Sequence, residues 1–213
     1  MRLILASTSP ARLATLRGAG IEPVVMPSSV DEDEVVAQAE ALSGTLGPSE
    51  MVLLLARAKA EAVIAGVAAS AYAQDALILG GDSAFVLDEE IFGKPHTPER
   101  ATARWYAQRG RSGTLYSGHW LIQVADGVPV AATGAVASAE VTFAADLTDD
   151  EIAAYVASAE PLQVAGAFTI DSLGAAFIDH ISGDPSTVIG ISVPTVRRLA
   201  RELGVFWPDL WNR

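Results

Sequence analysis

The sequence predicts an α/β fold: a mixed, twisted sheet with flanking helices, arranged as two lobes around a cleft. Short apolar segments typical of strands alternate along the chain with segments of helical periodicity, which favours an α/β or α+β architecture. No repeat, low-complexity tract or Pro/Gly/Ser-rich linker interrupts the 213 residues. Residues 1–213 are therefore expected to form a single domain without a separable linker.

Before residue 81 the pattern predicts two buried strands, a further extended segment and two helices. Arg2–Ala6 and Ala76–Gly80 are short apolar runs of the length that strands have. Ser7–Pro10 predicts a helix start, because hydroxyl groups cap free N–H groups and proline fits the first helical position. Pro23–Met26 is expected to be extended. Apolar residues at three- and four-residue steps predict one long helix over Ser49–Ala69.

Two β-hairpins are predicted in the middle of the chain. The segments Ala84–Leu87 and Ile91–Phe92 flank three acidic residues, which favours a turn between two short strands. Strands over Leu115–Val124 and Val128–Glu140 are joined by Asp126-Gly127, a dipeptide typical of two-residue hairpin turns.

Three more helices and two short strands complete the prediction. Thr97 precedes a proline and a glutamate, Thr148–Glu151 forms a capping box, and Pro194 precedes an amphipathic stretch. Each of these patterns predicts a helix start. The apolar segments Phe168–Ile170 and Ala175–Ile181 are predicted to be strands.

Composition and charge exclude several classes of protein. The net charge of −12 repels nucleic acid, so any phosphate ligand must be held by local cations, helix N-termini or a bridging metal. The absence of cysteine excludes disulfides, a thiol nucleophile and a cysteine–zinc site. The lack of a signal-peptide pattern or a long apolar run predicts a soluble, cytoplasmic protein without a membrane partner. The acidic charge, together with the lack of a basic patch, predicts that the protein has no nucleic-acid partner. The sequence also lacks the P-loop, dinucleotide-binding, HExxH and serine-hydrolase motifs.

A candidate phosphate site lies at the first helix start. Ser7 and Ser9 supply hydroxyl donors, and Arg12 adds a guanidinium group in the first turn. The helix N-terminus contributes unpaired N–H groups and a partial positive charge. The alternative interpretation is an ordinary capped helix with a surface arginine, which the local pattern alone favours.

Asp82 is the candidate for holding a metal ion or orienting a water molecule. It follows Gly80-Gly81 at the predicted C-terminal end of a buried strand, where the ligand sites of α/β sheets gather. Glycines also allow a ligand to approach the backbone closely. The alternative is a turn aspartate that bonds its own backbone.

Two lysines and one glutamate are further candidates. Lys59 and Lys94 could bind phosphate groups, but a helix lysine and a turn lysine are more often simply solvated. Glu32 belongs to the acidic run Asp31–Glu34, which could bind magnesium or could form a solvated acidic loop.

In their order, over nearly the whole chain, these segments resemble the Maf-like nucleoside triphosphate pyrophosphatases. The matching motifs are Leu5–Arg12 (LASTSPAR), Asp31-Glu32, Ala56–Ala60, Gly80–Ser83, Gly93–Pro95, Ser112-Gly113, Glu160-Pro161, Ala165–Phe168 and Gly183–Gly190. The resemblance implies an α/β fold shared broadly with inosine triphosphate pyrophosphatases, with a deep cleft between two lobes. It also implies hydrolysis of the α–β phosphate bond with a divalent metal, Asp82 as proton acceptor, and an often dimeric assembly.

At three positions this chain lacks the residue typical of the subgroup that resembles dTTP and UTP pyrophosphatases. That subgroup carries arginine, threonine and glutamine where this chain has Ala11, Ser83 and Asp171. We therefore expect a different base specificity, since a carboxylate at position 171 could accept a hydrogen bond from an amino or imino group. The family's Asp-Lys pair is also replaced, by Gln163-Val164.

The resulting hypothesis is metal-dependent hydrolysis of nucleoside triphosphates, non-standard ones included, to a monophosphate and pyrophosphate by a homodimer. Glu32 and Asp82 are expected to hold Mg²⁺ or Mn²⁺, and Asp82 to accept a proton from the attacking water. The expected phosphate ligands are Ser7, Ser9, Arg12, Lys59 and Lys94. Two rival hypotheses are a non-catalytic nucleotide-binding regulator of cell division and a phosphomonoesterase.

Overall fold

The structure is a computed structural model that describes residues 1–212. The strands in this range are β1 (Arg2–Leu5), β2 (Val24–Val25), β3 (Asp75–Leu87), β4 (Glu90–Phe92), β5 (Ser112–Ala125), β6 (Val128–Phe143) and β7 (Ile178–Ser182). The α-helices are α1 (Pro10–Gly18), α2 (Glu32–Ser43), α3 (Pro48–Ala62), α4 (Ile64–Ala68), α5 (Pro98–Gln108), α6 (Asp149–Ala157), α7 (Pro185–Ile189) and α8 (Val193–Glu202). Short 3₁₀ turns lie at Glu160–Gln163, Ala165–Ala167, Leu173–Phe177 and Trp207–Leu210.

The strands form one mixed sheet in the order β2-β1-β3-β5-β6-β7, and β4 pairs with part of β3. Strand β1 is parallel to both β2 and β3, whereas β4 is antiparallel to β3 and β7 is antiparallel to β6. The predicted α/β class with a mixed sheet and flanking helices is therefore confirmed. No helix within residues 1–212 has the length and apolar character needed to cross a membrane.

The chain divides into two compact units, each assembled from segments that are distant in sequence. The first unit contains residues 1–82, 117–137 and those from 190 onward, and the second contains residues 83–116 and 138–189.

In the first unit, apolar side chains cover both faces of the sheet. Leu3, Leu5, Leu77 and Leu79 belong to a cluster that includes residues of α1 and α8. Ile4, Ala6, Ala76 and Ile78 belong to a second cluster, which includes residues of α3 and α4. Parallel strands buried on both faces read as continuous apolar runs, which is why both strands were recognisable in the sequence.

The core of the second unit is aromatic. The Phe85 ring centroid lies 5.1 Å from that of Phe168 and 5.8 Å from that of Phe143, both in edge-to-face arrangements. Trp105 packs edge-on against Phe143 at 5.5 Å and donates its indole N–H to the carbonyl of Ala167 at 2.8 Å. These ring pairs add directional contacts to the apolar burial of the unit.

Both predicted hairpins and the capping box are confirmed. Asp126 and Gly127 take positive φ values of 49° and 76°, as a two-residue turn of the mirror-image type requires. At the start of α6, the Thr148 hydroxyl accepts from the Glu151 N–H, and the Glu151 carboxylate accepts from the Thr148 N–H.

Some predictions of secondary structure were wrong. Strand β3 does not end at Gly80 but continues through Asp82 to Leu87. The predicted helix over Ser49–Ala69 is two helices, separated at Val63, where the backbone departs from helical ψ. Residues 168–170 form no strand, because Phe168 is extended but pairs with no neighbouring strand.

The acidic run Asp31–Glu34, for which a solvated loop was one of two alternatives, begins helix α2. Asp31 is the N-cap of α2, and its side chain accepts a hydrogen bond from the Glu34 N–H at 3.1 Å. Glu32–Glu34 form the first turn of this helix, where negative charges are stabilised by the helix dipole. The run is therefore a helix start rather than a solvated loop.

In the second unit, one carboxylate organises the segment that carries Asp171. Glu160 accepts hydrogen bonds from the hydroxyl groups of Tyr155, Thr169 and Ser172 and from the backbone N–H groups of Leu173 and Gly174. Partial burial alone would raise the pKa of Glu160, but the hydrogen bonds from Thr169, Ser172, Gly174 and Leu173 outweigh it and lower the pKa to about 2.

We predict that Glu160→Gln lowers the free energy of unfolding by about 2 kcal/mol at neutral pH, because the amide replaces an ionised acceptor. The folded pKa lies below the ordinary value of 4.5, so this contribution is present above that pH and is lost as the pH falls toward 2. Urea denaturation as a function of pH measures the difference, which should shrink on acidification. A difference that is constant with pH would contradict the role of the charge.

Candidate functional site

Two glycines allow helix α3 to lie directly on the sheet backbone. A Cβ atom on Gly80 of β3 would overlap the carbonyl oxygen of Ala56, and one on Gly118 of β5 would overlap the carbonyl oxygen of Val52. Both carbonyls belong to α3, so any side chain at either glycine would push the helix outward. The close approach brings Lys59, near the end of α3, to the side chain of Asp82.

Lys59 connects two carboxylates in the first unit. Its Nζ lies 2.7 Å from Asp82 Oδ1 and 2.8 Å from Glu32 Oε1. Lys59 and Asp82 are each only 8% exposed, whereas the Glu32 side chain is 51% exposed. The interpretation of Lys59 as a solvated helix lysine is therefore wrong, because a buried ammonium group requires charged partners.

Arg12 and the two serines form the second part of the site. Ser9 caps α1 by accepting from the Arg12 N–H at 3.3 Å. The Arg12 side chain donates from Nη1 to Ser7 Oγ at 3.2 Å and from Nε to the Gly190 carbonyl at 2.9 Å. A Cβ on Gly81 would lie 3.4 Å from Arg12 Nε, so the guanidinium extends along the strand backbone just before Asp82. The arginine is held in a defined orientation.

The charges of these groups influence one another. Burial raises the pKa of Asp82 above its ordinary value, although Lys59 and Arg12 act in the opposite direction. Burial likewise lowers the pKa of the Arg12 guanidinium, against the opposing charges of Asp82 and Glu32. An aspartate with a raised pKa binds a proton more readily than an exposed one, which suits a general base.

Asp82 does not lie at the end of a strand, as the sequence predicted, but within β3. The parallel pairing of β1 with β3 ends at Leu5 and Leu79, and α1 begins shortly after β1. Asp82 therefore lies just past the carboxyl end of the parallel part of the sheet, where ligand sites of α/β sheets occur. The alternative of a turn aspartate is excluded.

The donor set is compatible with a small divalent cation. Asp82 and Glu32 both direct a carboxylate oxygen at the ammonium group of Lys59. The two carboxylates therefore already converge on one positive charge, as ligands of a metal ion do. Within residues 1–212 no group of three or more acidic or histidine side chains forms a complete metal cage. Magnesium commonly takes only one or two protein carboxylates and completes its coordination with phosphate oxygens and water, so two carboxylates suffice.

The structure gathers Ser7, Ser9, Arg12, Glu32, Lys59 and Asp82 in the first unit. Ala11 is half-buried in the first turn of α1. The other candidates belong to the second unit: Ser83 follows Asp82 in β3, Lys94 is exposed after β4, and Asp171 is exposed in the segment that Glu160 holds. The functional roles of all these residues stay predictions.

Sequence reasoning missed two backbone contributions to this arrangement. The carbonyl of Gly190 orients Arg12 across 178 residues of sequence. Gly118 is needed for the approach of α3, yet nothing local distinguishes it from a glycine in any strand. The only signal for Gly190 in the sequence was its position in the Gly183–Gly190 motif, which resembles the Maf-like family.

Comparisons with known proteins agree with this architecture. The family model described as Maf-like protein matches residues 2–203. A nucleoside triphosphate pyrophosphatase of Leifsonia xyli subsp. xyli (strain CTCB07) is 62% identical over 213 residues, which cover 100% of this chain and 98% of that protein. Proteins of the same name from Nocardia farcinica (strain IFM 10152) and Streptomyces coelicolor (strain ATCC BAA-471 / A3(2) / M145) are 50% and 51% identical. Each match covers 99% of this chain, and 96% and 94% of those proteins respectively.

We predict that Gly80→Ala lowers the free energy of unfolding by about 1–3 kcal/mol, because the added methyl group displaces α3 from β3. Urea denaturation measures the loss. Gly18→Ala is the matched control, because a Cβ at Gly18 in α1 meets no atom within 4 Å and should leave stability unchanged or slightly higher. Equal effects of the two substitutions would show that α3 does not depend on the glycine.

Proposed function

The chain belongs to the family of Maf-like proteins, and on that premise we propose that it hydrolyses nucleoside triphosphates to a nucleoside monophosphate and pyrophosphate. The printed names of its relatives support this activity. The observation that carries the proposal is the buried Lys59–Asp82 pair with Glu32 on the same ammonium group. Water attacks the α-phosphorus, the bond to the oxygen bridging α and β phosphorus breaks, and pyrophosphate leaves.

Substrate phosphates are bound at the N-terminal end of α1. Arg12 supplies the positive charge, and its contacts to Ser7 and Gly190 fix the guanidinium before substrate arrives. Such prior orientation avoids an entropic cost at the moment of binding. Ser9 and Lys94 are the further phosphate ligands in this proposal.

Asp82 accepts the proton of the attacking water. Its raised pKa makes the carboxylate a stronger base, while the hydrogen bond from Lys59 to Oδ1 keeps the group ionised and holds its orientation. Lys59 also offsets negative charge that develops on the phosphates.

Glu32 and Asp82 are the residues that would hold Mg²⁺ or Mn²⁺. When bound, such an ion neutralises triphosphate charge and polarises the phosphoryl group. The exposed position of Glu32 at the start of α2 leaves its carboxylate accessible to a hydrated ion.

Base selection is assigned to Ala11, Ser83 and Asp171. The exposed carboxylate of Asp171 can accept hydrogen bonds from the amino or imino groups of a base. A glutamine at this position would both donate and accept hydrogen bonds, and would therefore select a different base. We further propose a cytoplasmic homodimer that acts on nucleotides, non-standard ones included, and not on nucleic acid, consistent with the net charge of −12.

The activity is tested by incubating the protein with Mg²⁺ and a panel of nucleoside triphosphates and identifying the products. Monophosphate and pyrophosphate are expected. Orthophosphate as the first product would identify a phosphomonoesterase, and nucleotide binding without turnover would identify a non-catalytic regulator. Either result would overturn the proposal.

We predict that Asp82→Asn lowers kcat by a factor of about 100 or more, because the amide cannot accept the proton from water. Asp146→Asn is the matched control, since Asp146 is exposed and lies in the second unit. Turnover by the Asp82 variant at the rate of the control variant would exclude Asp82 as the base. Circular dichroism of both variants verifies that they are folded.

A second prediction concerns the acid limb of the pH profile of kcat/KM, which follows the ionisation of Asp82. Lys59 is one of the charges that hold the pKa of Asp82 down against burial. In Lys59→Met this pKa rises, so the acid limb should move to higher pH, in addition to a fall in kcat of about 100-fold. Lys59→Arg, which keeps the charge, should leave the limb closer to its original position. An acid limb at the same pH in both variants would contradict the coupling.

A further inference from the structure

An aromatic cavity lies at the C-terminal end of the first unit, where no residue of the Asp82 cluster contributes. Its volume is about 540 Å³, and its walls include Arg197, Arg201, Phe206, Trp207, Pro208 and Trp211. This volume falls within the range of small-molecule sites. Phe206 is 67% exposed and Trp211 is 57% exposed, so two large aromatic side chains face solvent at one place.

Trp211, which forms one wall of the cavity, is held in place although its side chain is exposed. The following residue, Asn212, donates its N–H to the Gly20 carbonyl at 3.1 Å. Its side chain accepts from the Glu22 N–H at 2.6 Å and donates to the Glu22 carbonyl at 3.2 Å. The indole ring itself lies against Gly20, whose φ is +85° and where a Cβ would be only 3.2 Å from Trp211 Cδ1. The ring is therefore oriented in advance of any ligand.

Two arginines line the same cavity without a side-chain partner within residues 1–212. Arg197 and Arg201 are four residues apart on α8, which places them on one face of the helix. Like charges at this spacing repel each other and weaken a helix unless an anion lies between them. Glu and Asp outnumber Lys and Arg by 26 to 14 in this chain. Even so, no ion pair among residues 1–212 includes Arg197 or Arg201.

We propose that this cavity binds a planar aromatic ring that carries a phosphate or carboxylate group. The ring packs on the indole of Trp211 and on Phe206, while Arg197 and Arg201 bind the anion. Aromatic rings prefer such stacked or edge-on contacts, and the planar guanidinium groups match the geometry of phosphate and carboxylate oxygens. Nucleoside monophosphates and aromatic carboxylic acids both have this chemistry. The site would let an anionic aromatic metabolite bind independently of turnover.

The proposal is tested on the full chain by two-dimensional ¹H–¹⁵N NMR without divalent cations. The four tryptophans give four indole N–H signals, which Trp→Phe substitutions assign. AMP and indole-3-acetate are added separately. Adenosine, which has the ring without the anion, and inorganic phosphate, which has the anion without the ring, serve as controls. AMP or indole-3-acetate, or both, should shift the Trp207 and Trp211 signals saturably, and adenosine and phosphate should each bind at least about tenfold more weakly. The responding compound identifies the source of the anion.

Single variants locate the anion contact. Arg197→Gln and Arg201→Gln should each weaken binding about tenfold, whereas Arg100→Gln, which removes the same charge from the second unit, should not. Nucleotide hydrolysis should be unaffected by Arg197→Gln, and Asp82→Asn should leave the indole shifts unchanged. These two variants therefore distinguish a failure of the binding proposal from a failure of the proposed hydrolysis.

Three results would overturn the proposal. The first is that neither compound moves the Trp207 and Trp211 signals at millimolar concentration. The second is that the glutamine variants bind as tightly as the unmodified chain. The third is a dimer in sedimentation experiments that Trp211→Ala dissociates, because a second copy of the chain would then cover this face.

Discussion

The ammonium group of Lys59 holds together three segments of the first unit that are far apart in sequence. One carboxylate comes from the middle of β3 and the other from the first turn of α2, while the lysine itself lies near the end of α3. Burying a single charge is expensive, and removing one partner of a buried pair leaves the other uncompensated. Buried ion pairs of this kind seldom add net stability, since a well-packed apolar set of similar size is often as stable. We therefore attribute the pair, which lies past the carboxyl end of the parallel part of the sheet, to the proposed chemistry rather than to folding stability.

The position of Lys59 depends in turn on the absence of two side chains. Because Gly80 and Gly118 lie on neighbouring strands, α3 can rest on the backbone of β3 and β5. Glycine inside a strand weakens the strand, since it loses more backbone entropy on folding and contributes no packing. This weakness occurs once on each of two neighbouring strands, and it allows α3 to lie close enough to bring Lys59 to Asp82. Gly81 contributes similarly by leaving space for the Arg12 side chain.

The same glycines explain where sequence reasoning succeeded and where it did not. Buried apolar runs, the Asp126-Gly127 turn and the Thr148 capping box are local signals, and the structure confirmed each of them. The Gly80-Gly81 pair resembled a local signal for the end of a strand. The two glycines instead allow α3 and Arg12 to pack closely against the strand, and β3 continues through Asp82. Lys59 was more easily interpreted as a solvated lysine, because its burial depends on α3 packing that no window of sequence contains. The predicted roles of Lys94 and Asp171 rest on the order of the motifs, which carries more information than the individual residues.

The balance of charge around Asp82 indicates what a polyphosphate would still require. The two carboxylates of Asp82 and Glu32 are cancelled by the two cations of Lys59 and Arg12, so this cluster is close to neutral in a chain whose net charge is −12. A neutral cluster can orient phosphate groups, but it cannot by itself neutralise the several negative charges of a triphosphate. The missing positive charge has to come from outside this set of side chains. A hydrated divalent cation that arrives with the nucleotide would supply it, and the two carboxylates that now surround Lys59 are the groups that attract such an ion. The proposed metal role would therefore explain why two carboxylates lie beside the proposed phosphate site, which their own charge would otherwise oppose.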